Sequence, residues 1–221
     1  MNRNTSLQKI ITSCLIAFIS LFINGLGIYL TIRANIGVSP WDVLNLGVSK
    51  TLNISYGNAS VSIAFTILLI DILMKEPIGL AMIIDAITVG KAVDFFNWLN
   101  LVPNPRTLIG SIIMMIIGLF IIAYTQYTYM YAALGCGPRD TLLVGLKKRI
   151  KKIPIGVVSI SLLTIVTLTG YLLGGQVGIG TLICAFLAGP IMQFSFESVK
   201  FDATKIKHQN ISESIKIITK K

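Results

Sequence analysis

The chain has 221 residues, 54% hydrophobic and only 13% charged, about half the charged fraction of a soluble domain, which excludes an ordinary water-facing globule and indicates a polytopic membrane protein. The net charge of +10 does not indicate a nucleic-acid partner, because five of the nineteen Lys and Arg fall within Lys147–Lys152 and six more follow Val199. Clusters so placed flank spans on the cytoplasmic side and meet anionic headgroups.

The first element follows Arg3 and Lys9. An apolar run over 10–32 continues too far for a leader and lacks a small-residue cleavage site, so it reads as a spanning helix. Next comes NIGVSPWDVLNLG at 35–47. Gly37 permits a sharp turn, Ser39 is placed as a helix cap, and Pro40 falls at the first helical position, where its missing N–H is harmless. Asp42, at the third position, is expected to reach back to the cap N–H. The helix this opens, 40–52, is too short and too polar to cross a bilayer alone.

Spans over 58–74 and 79–99 complete the first half. Asp71 and Lys75 are four apart and are expected to pair at a span end. The second of these spans carries Asp85, Lys91 and Asp94. Ionisable groups inside spans mark functional sites by default. Lys91 and Asp94 share a helix face, so they read either as an internal ion pair or, with Asp85, as a charge relay or gate. Phe95, Phe96 and Trp98 read as an interfacial aromatic belt.

Beyond the Pro103–Asn104–Pro105 loop, a span over 108–131 ends in Tyr124, Tyr127, Tyr129 and Tyr131, again belt-like. Then ALGCGPRDTLLVG, 133–145, repeats the earlier phrase: Gly135 at the turn, Gly137 as cap, then Pro138, and Asp140 at the third position. Arg139 replaces Trp41 and is within reach of a salt bridge to Asp140. A short helix over 138–149 and spans over 155–173 and 179–198 follow. Cys14, Cys136 and Cys184 form no CxxC, so neither disulfide nor metal is expected, though Cys136 sits inside the repeated phrase. The single histidine, His208, stands in a basic tail that reads as an amphipathic surface segment.

The repeat extends far beyond these phrases. At an offset of 98, fourteen of the forty-one positions in 10–50 recur, among them Gly37, Pro40, Asp42, Leu44, Gly47 and Lys50. At an offset of 99, Gly57, Ser60, Gly79, Gly90 and Phe95 meet Gly156, Ser159, Gly178, Gly189 and Phe194. Apolar composition alone yields chance Ile and Leu matches, not Gly, Pro, Asp and Gly in order. Three spans per copy is odd, so the second copy is expected upside down, the arrangement of many secondary transporters. Counting the short helices as crossings gives the alternative, eight spans in two parallel halves. Segment length favours six, with both termini cytoplasmic. Asp85, Lys91 and Asp94 face Cys184, Pro190 and Gln193 in the second copy, so the fold itself does not need these charges.

The phrases GVSPWD and GCGPRD, each opening a DxLxxG segment, resemble those of the YczE/YyaS/YitT group of bacterial membrane proteins, and most closely its YczE-like branch. The resemblance runs from the first span to Phe194. It implies a multi-pass protein of the bacterial plasma membrane and supplies no substrate.

These readings give an all-α membrane protein with six transmembrane helices, two short re-entrant helices and two inverted repeats of three spans. One membrane domain covers 1–198, with repeat one at 7–100 and repeat two at 105–198, and a basic cytoplasmic tail covers 199–221. The expected function is a small-solute secondary transporter or permease, not an enzyme, with no cofactor and no metal. Asp42, Asp140, Arg139, Ser39, Trp41, Cys136, Gly37 and Gly135 are the expected solute- or ion-binding residues, and Asp85, Lys91 and Asp94 the expected relay or gate. The partners are the lipid bilayer and an unidentified small solute or ion, with room for a homodimer or a membrane complex. Two alternatives stay open: a non-transporting scaffold or regulator of another complex, and a solute-capturing subunit of an ATP-driven importer.

Overall fold

Eight helices account for the secondary structure of the described residues, 3–135 and 137–201, in the computed structural model: α1 (Arg3–Arg33), α2 (Pro40–Leu52), α3 (Tyr56–Leu73), α4 (Leu80–Leu99), α5 (Leu108–Tyr131), α6 (Pro138–Arg149), α7 (Ile155–Leu172) and α8 (Ile179–Ser198). Cys136 and the tail from 202 onward, His208 included, lie outside the described residues. Both short helices fall on their expected ranges. α3 starts two residues early because the Ser55 hydroxyl accepts from the Asn58 N–H at 3.1 Å and caps it.

Five helices are long and apolar enough to cross a membrane: α1 from Ile10, α3, α5, α7 and α8. α4 matches them in length, with 20 residues, but carries Asp85, Lys91 and Asp94. α2 and α6, with 13 and 12 residues, reach only about 20 Å.

The spine is the crossing of α1 with α5. As α1 climbs through Asn24, Gly27 and Thr31, its partners on α5 descend through Thr125, Ile122 and Gly118, so the two helices run antiparallel. A Cβ on Gly27 would lie 2.8 Å from the Gly118 carbonyl, and one on Gly118 2.7 Å from that of Gly27. Backbones this close admit only glycine, and small residues of this kind let membrane helices approach. Asn24 seals the contact by donating to Thr125 Oγ1 at 2.9 Å.

The other contacts come in matched pairs. α4 packs on α1 as α8 packs on α5, and α2 packs on α7 as α6 packs on α3. The match fails most plainly at one pair: α3 and α4 pack closely, whereas their equivalents α7 and α8 are almost without contact.

Three expectations are corrected here. Asp71 does not pair with Lys75, because α3 stops at Leu73 and Lys75 lies in a left-handed turn at φ 57°, off the helical register such a pair requires. Asp71 is fully buried, and neither carboxylate oxygen has a hydrogen-bond partner among the described residues. An unsatisfied buried polar group costs about 1–3 kcal/mol. Asp71→Ala is therefore expected to raise the melting temperature in detergent, and a fall would assign the carboxylate a stabilising partner.

The basic end of α6 finds Glu76 instead. Lys148 Nζ meets Glu76 Oε2 at 2.5 Å, and Arg149 reaches both Glu76 and the Met74 carbonyl. The Lys148 hydrogen bond holds the Glu76 carboxyl below its ordinary value.

Lys91 and Asp94, the second correction, do not pair with each other. Asp94 accepts from the Gly57 N–H at 2.8 Å and the Ser55 hydroxyl at 2.6 Å, and Lys91 donates to Asn58 Oδ1 at 2.6 Å. The free N–H groups opening α3 draw the carboxylate across to them. Third, the tyrosines of α5 are not a uniform belt: Tyr129 is 3% exposed and belongs to the core, whereas Tyr131 is 60% exposed.

Candidate functional site

The site begins with two turns. Gly37 and Gly135 have φ of 108° and 119°, a region that side-chain-bearing residues rarely adopt. Each turn is pinned to the other half of the chain. The Ile36 carbonyl accepts from the Gly180 N–H at 2.7 Å, and the equivalent Leu134 carbonyl from Ala81 at 3.2 Å. So held, the turns deliver Pro40 and Pro138 as the first residues of α2 and α6.

The two short helices meet head to head. The Arg139 guanidinium lies 5.2 Å above the centre of the Trp41 ring, within cation–π range. Their far ends diverge. α2 ends at Leu52, just before α3 begins, while Arg149 of α6 bonds the Met74 carbonyl beyond the other end of α3. An 18-residue helix, about 27 Å long, separates the two ends.

Between the helix starts lies a cavity of about 910 Å³. Ser39, Trp41, Asp42, Arg139 and Asp140 line it, with Asp85 from α4. Gly37 and Gly135 aim the helices without lining it, and Lys91 and Asp94 stand away from it at the α3–α4 seam.

The two aspartates of the repeated phrase have different surroundings. Asp42 is 3% exposed. Its Oδ1 accepts from the Tyr56 hydroxyl at 2.7 Å and its Oδ2 from the Ser39 hydroxyl at 2.6 Å, while Asn45 donates to the Tyr56 oxygen at 3.0 Å. This corrects the expected cap. Ser39 occupies the cap position but makes no side-chain cap bond, and its hydroxyl instead donates to the Asp42 carboxylate. At the positions equivalent to Ser39, Asn45 and Tyr56 stand Gly137, Leu143 and Ile155, none of which has a side-chain donor. Asp140 is accordingly exposed to the cavity and makes no hydrogen bond among the described residues. Nor is it ion-paired to Arg139, whose guanidinium rests on Trp41 instead.

Asp85 joins Asp140 at the mouth of α6. A Cβ built on Gly137 would lie 2.8 Å from Asp85 Oδ2 and 3.9 Å from Asp140 Oδ2. Two carboxylates thus face one point, each within electrostatic range of Arg139 but hydrogen-bonded to no described residue.

The seams beside the cavity differ in the same sense. On the α3–α4 side, a Cβ on Gly90 would come within 2.8 Å of the Gly57 carbonyl and 3.0 Å of Ser60 Cβ. On the α7–α8 side, the equivalent Gly156 and Gly189 have nothing within 4 Å.

A family model described as a family of unknown function, DUF6198, matches residues 11–197. The chain belongs to the DUF6198 family. It is 29% identical over 190 residues to the uncharacterized membrane protein YczE of Bacillus subtilis, covering 85% of this chain and 87% of that one. It is 30% identical over 179 residues to YyaS of the same organism, covering 79% and 87%. A protein of Haemophilus influenzae shares 32% identity over 179 residues, 81% of each chain. No solved structure matches. The membership agrees with the resemblance drawn from the two repeated phrases, and the chain is an all-helical polytopic membrane protein.

Sequence reasoning missed Tyr56, Asn45 and Ser60. Tyr56 stands fourteen positions after Asp42 on a different helix, so no spacing rule links them. The available signal was the loss of Ser39, Asn45 and Tyr56 at the equivalent positions of the second copy, whereas Ser60 is repeated as Ser159.

Proposed function

We propose that this protein is a secondary transporter for a small solute in the bacterial plasma membrane, working by alternating access between two inverted halves. Six helices would cross: α1, α3, α4, α5, α7 and α8. Both termini and the Lys147–Lys152 cluster would face the cytoplasm, as the clustering of basic residues favours. The antiparallel crossing of the equivalent helices α1 and α5 supports inversion. Helix starts converging from opposite sides on a central cavity are the usual frame of such sites.

One observation carries the reading. Sequence-equivalent glycine seams flank the cavity, one shut at Gly57–Gly90 and one open at Gly156–Gly189. Inverted halves that exchange their two conformations would shut the second seam and open the first. Asp94, Lys91, Ser55 and Asn58 form the latch of the shut seam, which gives the two charges a gating role. In this topology the latch faces outward, and the conformation described here faces the cytoplasm.

Single cysteines in a chain with Cys14, Cys136 and Cys184 replaced test this in proteoliposomes. Ser159→Cys is expected to react with a membrane-impermeant thiol reagent from the cytoplasmic side. Ser60→Cys is expected to react from the outside only when Asp94→Ala releases the latch. Reaction of Ser60→Cys from the outside with the latch intact, or no reaction at either position from any side, would remove alternating access. Asp140→Asn is expected to reduce solute uptake at least tenfold, and unchanged uptake of every solute carried would remove Asp140 from the path.

A further inference from the structure

We infer that the cavity is built for an organic cation: an amine that bonds Asp85 and Asp140 while its apolar body lies against α7 and α8. This rests on the central cavity of the transport reading and specifies what enters it.

The first support is charge. The acidic and basic side chains lining the cavity are Asp42, Asp85, Asp140 and Arg139, three carboxylates against one guanidinium. Each of the two helix starts adds about half a positive charge. The balance remains negative by about one charge, so an anion is disfavoured and a cation attracted.

The second is availability. Asp42 already accepts from Tyr56 and Ser39, and Arg139 is stacked on Trp41. Asp85 and Asp140 make no hydrogen bond among the described residues, and their Oδ2 atoms converge beside Gly137. An independent polar group lies in the same cavity. Ser60 is 5% exposed, lines the cavity, and its hydroxyl has no partner among the described residues. Its hydroxyl opens onto the cavity and can donate to or accept from a group bound there.

The third is the rest of the wall. Leu163 and Leu168 of α7 line the cavity with Leu182 and Met192 of α8 and Leu119 and Ile122 of α5, alongside threonines of α7 and α8. A bare metal ion is poorly served. No group of three His, Cys, Asp or Glu able to hold one occurs among the described residues. The Gly137 carbonyl, beside the two carboxylates, is taken by the Thr141 N–H and hydroxyl, both at 3.0 Å. An amine needs only acceptors for its two or three hydrogens, and its apolar portion gains by leaving water.

The test uses the purified full chain in detergent. Trp98→Phe leaves Trp41 as the only tryptophan, and its emission reports cavity occupancy. The probes are 2-phenylethylamine, 3-phenylpropionate and sodium ion. The amine is expected to bind and the other two not to. Asp85→Asn and Asp140→Asn are each expected to weaken the amine about tenfold or more, the worth of a charge-assisted hydrogen bond. Asp71→Asn, outside the cavity, is expected to leave binding unchanged. Each variant is first required to elute and melt as the parent does. Absence of amine binding, equal binding of 3-phenylpropionate, or amine binding indifferent to both substitutions overturns the proposal. Amine binding without transport in proteoliposomes would overturn the transport reading and leave the cation site standing. Alternating cysteine access without amine binding would do the reverse.

Discussion

Gly90→Val is expected to lower stability by about 2–3 kcal/mol, whereas Gly189→Val, the same change at the equivalent position of the second copy, is expected to leave stability unchanged and stop transport. The difference is the space each side chain meets. At Gly90 the first added carbon already lies 2.8 Å from the Gly57 carbonyl and 3.0 Å from Ser60 Cβ, in a seam where α3 and α4 are packed. Neither neighbour is the free end of a flexible chain, so the helices must separate, and overpacking of this kind costs about 1–3 kcal/mol or more. Gly189 has nothing within 4 Å. A valine there meets no resistance in this conformation, but it would fill the seam that α7 and α8 would shut in the proposed alternation. Thermal melting in detergent reads the first effect, and uptake with cysteine access reads the second. Equal destabilisation by the two valines would mean that α7 and α8 are packed in the protein at rest.

Asp42→Ala is expected to cost about 3 kcal/mol, and Asp140→Ala close to nothing. Removing the Asp42 carboxylate leaves the Tyr56 hydroxyl and the Ser39 hydroxyl without their acceptor, inside a network that also engages Asn45. Breaking one member of a buried network costs the desolvation of every group it strands, about 1–3 kcal/mol each before relaxation. Asp140 strands nothing, because Gly137, Leu143 and Ile155 occupy the positions of Ser39, Asn45 and Tyr56. Unfolding in denaturant separates the two, and adding Tyr56→Phe to Asp42→Ala should recover part of the loss. Similar losses at Asp42 and Asp140 would mean that the second copy holds its carboxylate by partners the structure does not record.

The sequence was informative where the signal was local. Pro followed two positions later by Asp, then Gly, twice over, placed α2 and α6 to the residue, because proline and capping chemistry act within one helical turn. The offset of 98 paired the residues that occupy equivalent places in the fold, since duplicated segments keep their packing faces. What could not be read was which partner a polar group takes across helices. Asp94 binds Ser55 and Gly57, thirty-nine and thirty-seven positions away, so intrahelical spacing pointed wrongly to Lys91. Asp71 was misjudged because its pairing with Lys75 assumed that the helix continued through residue 75. The unequal seams were also invisible, since Gly57, Gly90, Gly156 and Gly189 are the same letter in the same repeat.

The polar residues at the α3–α4 seam have one more consequence. Ser55, Asn58, Lys91 and Asp94 correspond to Pro154, Val157, Pro190 and Gln193 in the other half, a set that cannot tie α7 to α8 in the same way. Two identical units would idle equally on both sides of the bilayer. Fusion in one chain lets a single side hold the fastening, so the carrier proposed above would have a home position when empty. A bias of about 3 kcal/mol would hold it there on the order of a hundred to one. Whatever unfastened that side would then set how often such a carrier turned around.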